Sequence, residues 1–105
     1  MNLRESIIRM LKQLQVDTQV LHQQGAGYYS CTPMVRRYNK LLGQARTLFA
    51  PDDGLISTFE DAAENDPKDP SEKMKVVQAI RLESGQLITL LESTRDDDKA
   101  QGAAT

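Results

Sequence analysis

At 105 residues, with 39% hydrophobic and 27% charged side chains and a formal net charge of -2, the chain has material for one domain around one core. That balance gives no general pull toward nucleic acid or anionic membrane. No apolar run approaches the ~20 residues of a membrane span. Arg4, Glu5, Arg9 and Lys12 interrupt the apolar stretch a signal peptide would need, so a cytoplasmic protein with no membrane partner is expected.

The first helix is predicted over about 2–24. Asn2 caps it, with Glu5 three positions later as in a reciprocal capping box. Its inward face reads Leu3, Ile7, Met10, Leu11, Leu14 and Leu21, with Ile8 at the margin, and Glu5 and Arg9 form a favourably oriented pair outside. Val16 and Val20 fall on the opposite face, either as ordinary exposed valines or as a small second contact surface. Gly25-Ala26-Gly27 should close the helix and reverse the chain, making a hairpin with the next helix.

The second helix, about 33–49, is the clearest amphipathic segment. Thr32 reads as its cap and Pro33 as its first residue, where the missing N–H costs nothing. Met34, Val35, Tyr38, Leu41, Leu42, Ala45, Leu48 and Phe49 make a continuous apolar stripe, and Arg36, Arg37, Lys40 and Arg46 occupy the other side without any acidic residue. Pro51-Asp52-Asp53-Gly54 is a turn signal. Leu55, Ile56, Phe59, Ala62 and Ala63 then have the spacing of a short third helix, about 53–63, followed by a solvated linker, Glu64 to Asp69.

The last helix, about 70–93, has the best start signal: Asp69 as cap, Pro70 in the first position and Glu72 three after the cap. Val76, Val77, Ile80, Ser84, Leu87, Ile88 and Leu91 share a face, and Ser84 with Gly85 marks a place where another helix approaches or where the hydroxyl bonds its own preceding turn. The tail, 95–105, lacks apolar periodicity and reads as disordered. No segment alternates like a half-buried strand. Scarce aromatics, 5% with no Trp, also favour aliphatic helix-on-helix packing. The expected architecture is an all-α up-and-down bundle of three long helices and one short one, in a single domain over 1–94. A core this thin could also be half of a larger bundle.

Charge is unevenly placed along the chain. Residues 33–49 carry four positive charges and no negative one, whereas 52–69 carry seven negative charges against Lys68. The plain reading is that the two segments lie side by side and offset each other. The sharper reading leaves a basic face open. A helix N-terminus after a glycine-containing loop offers free N–H groups to a phosphate or carboxylate, and Tyr28, Tyr29, Ser30, Thr32, Arg36, Arg37 and Lys40 form the candidate anion or partner site. Gly25-Ala26-Gly27 follows a helix and not a strand, so it matches neither a P-loop nor a dinucleotide fingerprint.

Catalytic signals are weak. One His and one Cys supply neither HExxH nor a CxxC pair, Asp96-Asp97-Asp98 reads as an acidic tail rather than a metal site, and Cys31 with His22 is a poor candidate nucleophile pair. No cofactor or metal is expected. The sequence therefore points first to a small non-enzymatic module for contact with protein, including itself. Its alternative is an anion- or nucleic-acid-binding module built on the basic face of helix two and the 25–32 loop.

Overall fold

The computed structural model describes residues 2–24, 31–49, 54–64 and 67–94. Three α-helices, α1 (Leu3–Gln24), α2 (Thr32–Arg46) and α3 (Pro70–Ser93), form a bundle, with a single 3-10 turn at Ile56–Thr58 and no strand among the described residues. The expectations for the 25–30 loop, the turn at 51–53 and the tail lie outside the described residues.

Side-chain chemistry sets the helix starts. Asn2 Oδ1 accepts from the Arg4 N–H at 2.8 Å, so α1 opens on its expected cap. Asp69 Oδ1 accepts from both the N–H and the hydroxyl of Ser71, each at 2.9 Å, with Pro70 in the first turn. The Ser71 backbone N–H is the main reason the Asp69 carboxyl is held below the usual carboxylate range. At α2 the structure corrects the sequence reading. The helix begins one residue earlier, with Thr32 inside it and Cys31 as the cap residue, whose side chain makes no capping hydrogen bond. The Cys31 carbonyl instead accepts from Val35 N–H at 3.0 Å, and Pro33 still sits in the first turn, where N–H groups lack helical partners anyway.

Long-range contacts fix the helix directions. Arg4 of α1 bonds to Leu91 and Thr94 of α3, Gln15 bonds to Arg81, and His22 touches Met74, so α1 and α3 run antiparallel and share the most extensive seam. Cys31 at the start of α2 lies against Lys73 at the start of α3, and the Phe49 ring just past the end of α2 carries the Arg4 guanidinium 5.6 Å from its centroid. Thus α2 is parallel to α3, and the chain between them must travel back the length of the bundle.

The return is made by an extended strap in place of the short helix read from the sequence. After the 3-10 turn, Phe59 adopts φ -84°, ψ 128°, and residues 59–64 run antiparallel to α2 without helical structure. Extended backbone covers ~3.3 Å per residue against ~1.5 Å in a helix, so few residues can span the distance. Ile56 is buried, and Phe59 and Ala62 are half-buried against the core, whereas Leu55, 65% exposed, and Ala63 of the same expected stripe face outward, because the chain leaves the helical path that would have turned them in.

The core is aliphatic. Ile7, Ile8, Leu11 and Leu14 of α1 meet Met34, Val35, Leu41 and Leu42 of α2 and Val77, Ile80, Leu87 and Leu91 of α3. The α1 face is turned from its expected position. Ile8 is buried at 2% exposure, Met10 is 44% exposed and Leu3 is also outside, because the face follows the α3 seam through Arg4, Ile8, Leu11 and Thr18. At mid-seam Thr18 and Ser84 are fully buried, and a Cβ on Gly85 would stand 2.9 Å from Gln15 Nε2. Small side chains there let the helices come close. The Ser84 hydroxyl has no hydrogen-bond partner among the described residues, so close approach is its role rather than a bond to its own turn.

Arg4 is the charged residue that the apolar stripe hides. Only 3% of it is exposed, and its Nη1 donates to Leu91 O at 3.2 Å and to the Thr94 hydroxyl. α3 ends without a glycine cap, and the guanidinium supplies positive charge to its last carbonyls. Replacing Arg4 with Met keeps the length of the apolar stem and removes the donors. Arg4→Met is expected to lower unfolding stability in urea by about 2 kcal/mol, the scale of hydrogen bonds to a charged group. An unchanged midpoint would reduce Arg4 to a packing residue.

Candidate functional site

Of the residues predicted to form a site, Tyr28, Tyr29 and Ser30 lie outside the described residues. Thr32 is half-buried at the first position of α2. Arg36, Arg37 and Lys40 are all exposed, but the helix sends them different ways. Consecutive residues are about 100° apart around the axis. Arg36 Nε meets Glu64 of the strap at 3.1 Å, whereas Arg37 overhangs α1, where it borders a shallow hollow of about 170 Å³ with Met10, Gln13, Leu14 and Asp17.

The strap takes up much of the basic face. Arg46 Nη1 is 2.9 Å from Asp61 Oδ1, and its Nη2 donates to Phe59 O at 2.8 Å. Together with Arg36–Glu64 these contacts match the plain reading of the charge layout, in which the acidic segment lies along the basic helix. The pairs are exposed, and each contributes about 0–1 kcal/mol. They set the register of the strap more than they stabilise it. The stronger hold is Asn39, which the sequence did not single out. Its Nδ2 donates to Ala62 O and its Oδ1 accepts from Ala62 N–H, both at 2.8 Å. One amide side chain thereby satisfies both backbone groups of a residue that has no helical or sheet neighbour.

Between α2, the strap and α3 lies a cavity of about 280 Å³. Ala62, Ala79 and Ile80 supply its apolar wall, Glu60, Asp61 and Glu83 its charged lining, and Tyr38 of α2 its inner side. Tyr38 is 1% exposed and its hydroxyl has no hydrogen-bond partner among the described residues. Burial, then the charge of Glu83, pushes the phenol up from 10.0 to about 12; Arg46 acts against this and Asp61 with it. In the sequence Tyr38 reads as one more member of an apolar stripe. Its polar end gains meaning only when the strap and Glu83 are brought over it.

The remaining chemical candidates are separated by burial. Cys31 is fully buried, with Sγ 3.9 Å from Lys73 O. His22 is exposed and its Nδ1 lies 2.9 Å from Met74 Sδ. Among the described residues no three His, Cys, Asp or Glu side chains are placed to hold a metal ion, and no helix is long and apolar enough to cross a membrane. The architecture defines an all-α helical bundle with an extended strap. No family model, characterised protein or solved structure matches the chain.

Two outcomes check this description. Asn39→Leu should release the strap, seen as faster amide hydrogen exchange at Ala62 with the helical circular dichroism kept; unchanged exchange there would assign the hold to the ion pairs. For Tyr38, the raised folded-state pKa means that its stability contribution is complete below pH 10 and is lost as pH rises toward about 12, because only the unfolded chain releases the proton in that window. Tyr38→Phe should flatten the loss of stability between those values and, by removing an unsatisfied hydroxyl, raise stability at neutral pH by about 1 kcal/mol. An alkaline limb identical to the parent's would contradict it.

Proposed function

We propose that the chain is a small non-enzymatic helical module that works by contact with protein, including copies of itself. The observation that supports this most is the set of apolar side chains on the α1–α3 side of the bundle that the strap does not cover. Val16 is 54% exposed and Leu82 63% exposed, and Val20 is exposed one turn further along α1. Gln15 Nε2 reaches Arg81 O at 3.1 Å, which brings the neighbouring Val16 and Leu82 to the same level of the bundle, beside the seam where Gly85 leaves room. Single exposed apolar residues are ordinary; two at one level with a third a turn away, next to a glycine and away from the core, are what a contact surface needs. A surface of this kind is also the usual complement to a thin core.

The anion-binding reading draws less support. Arg36 and Arg46 already face carboxylates, so a phosphate would have to displace Glu64 to reach Arg36. Arg37 and Lys40 remain exposed, but they carry no built pocket of donors with them.

Sedimentation velocity over a concentration series tests the contact reading. The parent chain is expected to show a sedimentation coefficient that rises with concentration, and Val16→Glu/Leu82→Glu is expected to sediment as a monomer with an unchanged helical spectrum. A parent that stays monomeric into the millimolar range, with the double variant indistinguishable from it, removes self-contact as the function.

A further inference from the structure

We propose that the cavity between α2, the strap and α3 binds a primary alkylammonium group, with Glu60 and Glu83 as its counter-charges, the Tyr38 oxygen as a third acceptor, and Ala62, Ala79 and Ile80 around its methylenes. Three features of the cavity point the same way. Its lining holds acidic side chains and no basic one. Asp61 is engaged by Arg46, but no ion pair or hydrogen bond joins Glu60 or Glu83 to another described residue, so two carboxylates at the cavity are unspent. And the Tyr38 hydroxyl is buried without a partner among the described residues.

Tyr38 lines the cavity together with Glu60, Asp61 and Glu83, and the charges of Glu83 and Asp61 act on its phenol. A buried hydroxyl left unsatisfied in a native fold asks for an explanation, and a donor delivered by a ligand is one. An ammonium has three N–H donors and matches two carboxylates plus one phenol oxygen. While accepting from the ammonium, the phenol can still donate its own proton to a carboxylate. A bare metal ion fits less well, because no three acidic or imidazole groups among the described residues converge. The apolar wall favours a short aliphatic stem behind the charge. Because the hydroxyl is covered, an ammonium that reaches it must displace part of the lining, which includes the Glu60–Asp61 stretch of the strap. That stretch is tethered by Asn39 at Ala62 and by Arg46, rather than by a helix of its own.

The ammonium can come from a free amine or from the lysine of a partner polypeptide. The second source would make this cavity one docking point of the contact module. The first would stand whether or not the chain associates, so the titration below and the sedimentation series can fail separately.

The experiment is a titration followed by the methyl resonances of Ala62, Ala79 and Ile80. The probes are 1-aminobutane, Nα-acetyl-lysine N-methylamide and, as the uncharged analogue, 1-butanol. Saturable shifts are expected with the two ammonium probes and not with 1-butanol. Glu60→Gln/Glu83→Gln should weaken binding about tenfold or more, the loss typical of a removed charge-assisted contact. Tyr38→Phe, which loses no hydrogen bond to a described residue, should weaken it about threefold. Tighter binding of 1-aminobutane than of the capped lysine assigns a free amine; equal or tighter binding of the capped lysine assigns a side chain. Equal shifts with 1-butanol, no saturable shift with either ammonium, or affinity unchanged in the double Gln variant would overturn the proposal.

Discussion

The structure depends on one topological constraint: α2 and α3 run the same way, so the chain between them must return the full length of the bundle while covering the groove they leave. A segment that returns in extended form has backbone N–H and C=O groups with no internal partners, and they must be satisfied from outside. Asn39 does this at Ala62 and Arg46 at Phe59, both from the solvent-side edge of α2. The strap can then lay Phe59 and Ala62 over the core, beside Ile56 of the 3-10 turn, while its carboxylates stay at the surface. Without such side-chain anchors an extended segment would have little reason to stay closed.

The same constraint explains the division of labour around the bundle. α1 and α3 close directly on each other, and Thr18, Ser84 and Gly85 keep their seam tight. α2 and α3 meet less, because the strap sits over the joint between them. One side of α3 is therefore finished by helix packing and the other by a thinner cover of extended chain. The cavity lies under the thinner cover, and the exposed valines and Leu82 lie on the finished side, where no described residue overlays them. The two functional readings thus occupy different sides of α3.

Electrostatics follows position rather than composition. Two arginines of α2 that look alike in the sequence have different neighbours: Arg36 lies with the acidic strap and Arg37 over α1. Arg4, which sequence spacing puts beside an apolar residue at the helix start, is the buried one, because the α3 carbonyls give its charge somewhere to go. Glu83 has the opposite fate. It faces a buried phenol and a groove that offers it no basic partner among the described residues.

Local signals in the chain account for the three long helices and most of their buried faces. Asn2 and Asp69 announce their starts through side-chain oxygens that reach the nearby N–H groups, and the stripes of α2 and α3 are read from periodicity alone, since both signals act within a few residues. The sequence also held the pairing of the basic helix with the acidic segment after it. That residues 59–64 run extended is settled by packing between distant segments. Their helical spacing was real, but the distance to be spanned and the offer of the Asn39 amide outweighed a local preference of a few residues. Likewise, which side of α1 faces inward, that Arg4 is buried, and that Tyr38 meets Glu83 across a cavity depend on how α3 docks. No contact between residues so far apart in the chain leaves a mark on local spacing.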